Sequence, residues 1–73
     1  MKPKKVTGLR AARDMRRWSQ AELARQARLN HQTVHQIENG RLVPFPGQVK
    51  KLAKALGVSV STVEKWLREA EDE

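Results

Sequence analysis

Two imidazoles and two carboxamides stand at helical spacing near the middle of the chain, at His31, Gln32, His35 and Gln36. On an α-helix these positions share one face, while Val34 and Ile37 point away from it. A glutamine can bond the N6 and N7 atoms of adenine, and a histidine N–H can donate to guanine. The pattern indicates a surface that reads the edges of nucleic-acid bases. On composition alone, an ordinary solvated helix face remains the alternative.

The same two histidines, four residues apart, also have the spacing of two metal ligands on a helix. In the catalytic zinc motif a glutamate follows the first histidine, and here that residue is Gln32. The chain has no cysteine to serve as a third ligand. It also has no glycine-rich phosphate loop and no nucleophile–base set. The sequence therefore predicts no enzyme, no metal site and no cofactor.

The residues around this polar face carry the start and stop signals of short helices. Ser19 and Glu22 form a capping box at the start of one helix. Asn30 is placed to cap the next helix, which the pattern predicts from His31 to Asn39 with Gly40 as its stop. Two short helices joined by about three residues are typical of a helix-turn-helix. The prediction places it over about 19–40.

Three further helices complete the predicted fold. One is capped by Thr7 and covers Leu9 to Trp18, one begins at Pro46 and ends at Gly57, and one begins with the capping box Ser61-Thr62-Val63-Glu64. We therefore expect an all-α protein, a compact five-helix domain over 7–68, with Phe45 in the core rather than in a dimer contact. A flexible basic arm (1–6) and an acidic frayed tail (69–73) are expected to flank it. No secretory signal is recognisable, and no apolar run approaches the ~20 residues that cross a bilayer, so a soluble cytoplasmic protein is expected.

The charges are unevenly distributed within a net charge of +7. Up to Lys54 the chain has thirteen basic and three acidic residues, whereas from Ser61 onward it has two basic and five acidic ones. This imbalance favours a polyanionic partner such as nucleic acid. A basic excess that only aids solubility remains the alternative on charge alone.

Several segments resemble the Cro/C1-type (Xre-like) helix-turn-helix regulators, which include the lambdoid phage repressors. They are Ser-Gln-Ala-Glu-Leu-Ala (19–24), Ile-Glu-Asn-Gly (37–40), Pro44 and Leu-Ala-Lys-Ala-Leu-Gly-Val-Ser (52–59). The resemblance extends from about Leu9 to Leu67. It implies a lambda-repressor-like fold and sequence-specific binding of double-stranded DNA by a transcriptional regulator, a repressor of bacterial, phage or plasmid origin. An antitoxin-like or coactivator-like protein-interaction module on the same fold is the alternative.

The resemblance also implies a role for individual residues. The base-facing positions are His31, Gln32, His35 and Gln36. Gln20 and Asn39 match residues that bind DNA phosphates, and Arg13 and Glu38 match an ion pair that links the first and third helices. Further phosphate contacts are expected from Arg16, Arg17, Arg28, Thr33 and Arg41, with Arg10 and Arg25 as additional candidates. The lysines of the arm either reach around the duplex or only aid solubility.

Two features depart from the family or extend it. Family members often have glycine where Arg17 and Arg28 end their helices, and a left-handed backbone at a non-glycine residue costs about 1 kcal/mol. Val63, Trp66 and Leu67 are candidates for a dimer contact, with burial in the core as the alternative for Trp66. A homodimer would read a palindromic operator through two helices about 34 Å apart.

Overall fold

The computed structural model describes residues 4–72 and contains five α-helices. They are α1 (Thr7–Met15), α2 (Gln20–Ala27), α3 (His31–Glu38), α4 (Pro46–Leu56) and α5 (Val60–Arg68). Two short strands, β1 (Lys4–Lys5) and β2 (Glu71–Asp72), pair in antiparallel orientation. The predicted all-α fold is confirmed, and α2 and α3 form the helix-turn-helix.

The core consists of aliphatic and small side chains from all five helices. Its largest fully buried members are Leu9, Leu23, Val34, Ile37, Leu52, Leu56 and Val63. Helix α2 contacts both α3 and α4, and its Ala24 and Ala27 are buried between them. Because an alanine projects only a methyl group, neighbouring helices can approach α2 closely. The helix-turn-helix is therefore part of the same core that holds α4 and α5.

The N-caps of the helix-turn-helix form as predicted, but the second half of the capping box does not, because the Glu22 carboxylate accepts from Arg25 and Gln26 rather than from the Ser19 N–H. The Glu22 backbone N–H donates to Ser19 Oγ at 3.0 Å, and the Gln32 N–H donates to Asn30 Oδ1 at 2.8 Å. These bonds satisfy backbone donors that the first turn of a helix otherwise leaves without a partner. Local sequence signals thus determine where both helices begin.

The predicted caps of α1 and α5 are wrong. Helix α1 begins at Thr7 itself, after Val6, without a side-chain cap. Helix α5 is capped by Ser59 rather than Ser61, since the Thr62 N–H donates to Ser59 Oγ at 3.1 Å. The earlier start brings both Val60 and Val63 into the helix, where their spacing of three residues puts them on one face. This face packs in a cluster that includes Val49. Burial of this face therefore favours Ser59 rather than Ser61 as the cap of α5.

Both ends of the chain are more ordered than predicted. Val6 is only 3% exposed, and its N–H donates to the carbonyl oxygen of Glu38 at 2.9 Å. The strand register pairs Lys4 with Asp72 and Lys5 with Glu71. Residues 4–6 of the predicted arm and 71–72 of the predicted tail thus form backbone hydrogen bonds that the sequence did not indicate. Residues 1–3 and 73 of the two segments lie outside the described part of the chain.

The loop after α3 does not contribute Phe45 to the core as predicted. Phe45 is 71% exposed rather than in the core, and Val43 is 84% exposed. Pro44 between them is buried, because successive side chains of an extended segment point in opposite directions. Val63 has no exposed surface and therefore cannot contact a second subunit.

Trp66 packs within the protomer rather than standing clear of it. Its side chain is partly buried against the core, and its indole lies directly over Gly8 of α1. A Cβ atom at position 8 would meet the indole ring inside van der Waals distance. The absence of a side chain at Gly8 thus allows α1 and α5 to pack together.

We expect the substitution Gly8→Ala to lower the free energy of unfolding by about 1–3 kcal/mol, because the new methyl group overpacks the contact with Trp66. Urea denaturation measures this change. Gly47→Ala is the matched control, since a Cβ atom at this helical position meets nothing within 4 Å. The assignment of the α1–α5 contact is wrong if both substitutions have the same effect.

Two arginines adopt the left-handed backbone conformation that glycine favours. Arg17 has φ 57° and Arg28 has φ 56°. Both turns are closed by hydrogen bonds, from Trp18 N–H to Arg13 O at 3.2 Å and from Leu29 N–H to Ala24 O at 2.8 Å. Both turns therefore keep the left-handed conformation for which members of the resembling family often use glycine. The resulting backbone strain falls on Arg17 and Arg28.

Replacing Arg17 by glycine should raise the free energy of unfolding by about 1 kcal/mol, because glycine adopts positive φ without a Cβ clash. Arg17→Ala is the control, since it removes the same charged side chain and retains the Cβ. Thermal and urea denaturation of the two variants are compared with the parent chain. Equal stability of the glycine and alanine variants would contradict backbone strain at this position.

Candidate nucleic-acid interface

The side chains predicted to read bases lie together on the outer face of α3. His31, Gln32 and His35 are exposed, and Gln36 is half-buried. On the opposite face Val34 and Ile37 are fully buried. Because the core holds one face of α3 and Asn30 caps its first turn, the polar face has a defined direction. It presents neutral donors and acceptors to the surroundings.

A chain of hydrogen bonds joins this face to the start of α2. His35 Nδ1 lies 3.0 Å from Gln20 Oε1, and Asn39 Nδ2 lies 3.2 Å from His35 Nε2. Gln20 Nε2 donates to Glu38 Oε1 at 3.0 Å. Each carboxamide is thus oriented by a neighbour, and Gln20 and Asn39 flank the same imidazole.

The far end of this chain is an ion pair between α1 and α3. Arg13 Nε donates to Glu38 Oε2 at 2.7 Å, and Arg13 Nη2 donates to Glu38 Oε1 at 3.2 Å. The Glu38 side chain is 4% exposed and that of Arg13 is 11% exposed. Arg13 Nη1 also donates to the carbonyl oxygen of Trp18 at 2.7 Å. The bond to the Glu38 carboxylate raises the pKa of the Arg13 guanidinium above its usual value.

A cavity of about 230 Å³ lies beside the hydrogen-bonded chain and gathers further cations. Its lining includes Lys5, Thr7 and Arg10 in addition to Gln20, His35 and Asn39. Arg10 is only one of several phosphate candidates in the sequence, and Lys5 falls within the predicted basic arm. The backbone bond from Val6 to Glu38 brings both basic side chains to this place, and no local pattern indicates a bond over that separation.

Comparison with known families matches residues 7–66 to the helix-turn-helix domain. The chain belongs to the helix-turn-helix domain family. The match begins at the first residue of α1 and reaches into α5, so it covers the whole helical core. The family indicates DNA binding and a role in transcription regulation. A comparison with curated proteins gives no match.

Several arginines of this helix-turn-helix protein lie away from the group around Gln20 and Asn39. Arg16 donates to the carbonyl oxygen of Ala12 at 2.7 Å and also to that of Leu56, and it lies 6.0 Å from the Trp18 ring. Its guanidinium thus satisfies the carbonyl ends of α1 and α4. A phosphate contact by Arg16 would have to replace these bonds.

The other predicted phosphate residues are spread over the surface. Arg41 is exposed just after α3, and Thr33 is half-buried within it. Arg17 is exposed in the turn between α1 and α2. Arg28 lines a separate groove with residues of α4. Arg25 Nη2 donates a hydrogen bond to Glu22 Oε2 at 2.5 Å. This bond holds the pKa of the Glu22 carboxyl below its usual value.

Within residues 4–72, no three side chains of the types His, Cys, Asp and Glu come close enough together to hold an ion. The helices of the same region also include none that is long and apolar enough to span a bilayer.

We expect Glu38→Gln to lower the free energy of unfolding by up to about 3 kcal/mol, because it removes the buried counter-ion of Arg13 and leaves only the exposed Asp14 carboxylate, 3.4 Å from Arg13 Nη1. The double variant Glu38→Leu with Arg13→Met should recover most of that loss, since neither charge then needs a partner. Urea denaturation provides both values. Glu22→Gln, which breaks the exposed ion pair of Glu22 with Arg25, serves as the comparison. An equal loss of stability from the substitutions at Glu22 and Glu38 would contradict the structural role of Glu38.

Proposed function

We propose that this chain is a sequence-specific transcriptional regulator of the Cro/C1 (Xre-like) type, acting as a repressor that reads the major groove of double-stranded DNA with α3. The observation that carries the proposal is the placement of a neutral polar face on α3 between two oriented carboxamides. The hydrogen bonds of His35 with Gln20 and Asn39 provide that orientation.

The side chains on α3 suit readout better than simple attraction. Lysine or arginine at every position would bind phosphates without distinguishing sequences, because phosphates carry no base information. Gln32 and Gln36 offer a donor and an acceptor each, which matches the major-groove edge of adenine. His31 adds a donor that can distinguish guanine, whereas His35 must release its bond to Gln20 or Asn39 before it can contact a base.

The phosphate contacts in this proposal come from both sides of α3. Gln20 and Asn39 bind backbone oxygens through their amides, and Arg41 follows them in the chain. Lys5 and Arg10 line the adjoining cavity. Each neutralised phosphate contributes about −0.9 to the slope of log affinity against log salt concentration, so binding should weaken steeply with ionic strength.

A homodimer on a palindromic operator is part of the proposal, because one short helix reads only a few base pairs. Support for a second copy comes from the loop after α3, where Val43 and Phe45 are exposed. Val43 lines an apolar depression together with Leu42 and Leu67, so Leu67 is the predicted dimer residue that we keep in the proposal. The two copies would have to hold their α3 helices about 34 Å apart to enter successive turns of the major groove.

The same exposed loop favours the rival function, a module that binds another protein. An exposed aromatic side chain beside an apolar depression is a suitable anchor for such contacts. The two functions differ in their dependence on DNA. A module of this kind would bind its partner without selecting any duplex sequence.

Selection from a random duplex library should enrich a palindromic sequence that binds two copies of the chain. The variants Gln32→Ala and Gln36→Ala should each lose about 1–3 kcal/mol of discrimination against the wrong base, because each amide pair supplies about that much. Fluorescence anisotropy on selected and scrambled duplexes measures this loss. Ser61→Ala, at an exposed position of α5, is the control.

Three outcomes would contradict parts of the proposal. Failure to enrich any sequence over bulk DNA excludes specific readout. Discrimination that survives both glutamine substitutions shows that α3 does not read the bases. A selected site without twofold symmetry, bound by one copy, excludes the homodimer.

A further inference from the structure

A second cluster of cations lies in a groove between α2 and α4. The groove has a volume of about 430 Å³ and is lined by Gln26, Ala27, Arg28, Lys51, Lys54 and Ala55. Arg28, Lys51 and Lys54 are exposed. Lys51 and Lys54 are three residues apart and so share a face of α4, while Arg28 ends α2. Three positive side chains from two elements thus converge on one depression.

The positive charge of this groove is not neutralised by the surroundings. Among residues 4–72, no carboxylate forms an ion pair with Arg28, Lys51 or Lys54. Glu22 bonds Gln26 at 2.9 Å but already holds Arg25. The carbonyl ends of α2 and α4 each contribute roughly half a negative charge, which is less than the three full charges of the side chains. The groove therefore attracts anions.

The lining also indicates which kind of anion fits. Its only apolar side chains are those of Ala27 and Ala55, which provide no pocket for the aromatic or aliphatic anchor that most protein partners insert. A nucleic-acid backbone needs only cations and hydrogen-bond donors. Arg28, the two lysines and the Gln26 amide supply these. A phosphate backbone matches the groove better than a folded protein does.

The groove and the α3 face lie on different parts of the molecule. Gln20, at the start of α2, belongs to the hydrogen-bonded chain of the reading face, whereas the groove uses the last residues of that helix. An eight-residue helix separates its ends by about 12 Å. No residue of the groove lines the cavity beside His35. The groove is therefore a surface separate from the cavity beside α3.

We propose that this groove binds the phosphate backbone of a second duplex, so that one protomer joins two DNA segments. Binding of a backbone by Lys51 and Lys54 does not depend on base reading by α3. Only the joining of two segments rests on the proposed function. The groove carries no base-reading face, so the second segment is bound without regard to its sequence.

The test uses the full chain on an immobilised duplex that carries the selected site, with a labelled second duplex of unrelated sequence in solution. The double variant Lys51→Ala/Lys54→Ala should capture the second duplex about tenfold less and reduce the salt slope of capture by about 1.8, equivalent to two phosphates. Its affinity for the single selected duplex should stay within about twofold of the parent chain, since neither lysine lines the cavity beside α3. The control Lys50→Ala/Lys65→Ala removes the same charge at exposed positions outside the groove and should capture normally.

The inference is overturned if the groove variant and the control capture the second duplex equally. It is also overturned if polyglutamate displaces the second duplex more effectively than unlabelled DNA does, since the groove would then prefer an acidic polypeptide. Failure of base reading gives a different result. In that case no sequence is selected, but binding of bulk DNA by the single chain still depends on Lys51 and Lys54 and not on Gln32 and Gln36.

Discussion

Glu38 is the residue at which three helices and Val6, the residue before α1, are tied together. Its carboxylate oxygens accept hydrogen bonds from Arg13 of α1 and Gln20 of α2, and its backbone carbonyl accepts one from Val6. Removing a charge from water costs several kcal/mol unless good partners replace the water. This requirement couples the position of α1 to the angle between α2 and α3. The polar outer face of α3 is therefore linked, through His35 and Gln20, to the buried ion pair of Glu38 with Arg13.

In the proposed function, the two tasks of nucleic-acid binding are separated by charge. The outer face of α3 has neutral polar groups, while the cations stand around it or in the α2–α4 groove. Lys5 and Arg10 adjoin the reading face, whereas Lys51 and Lys54 lie with Arg28. A net charge describes neither group, because its effect on a partner depends on where the cations converge. Arg28 also carries backbone strain that glycine would avoid, so its side chain is retained at a cost in stability.

The structure changes the roles of several residues without changing the architecture. Arg16 satisfies carbonyl groups at the ends of two helices, and Trp66 covers Gly8. Phe45 is exposed, and Pro44 takes the interior position. These residues resemble others of the chain in type, since arginines and apolar residues are numerous. Their roles follow from neighbours that are distant in sequence.

The features that could be predicted from the sequence alone are therefore local ones. The starts of α2 and α3, and the shared face of His31, Gln32, His35 and Gln36, follow from hydrogen bonds and helical spacing over no more than a few residues. Resemblance to a family added the pairing of Arg13 with Glu38, which local patterns do not indicate. Only the tertiary structure decided that Val6 belongs to the core, that Ser59 caps α5 and that Arg28 joins α4. These outcomes depend on which surfaces pack together in the folded chain. Such packing joins residues that are far apart in sequence, as the hydrogen bond between Arg16 and Leu56, 40 residues apart, illustrates.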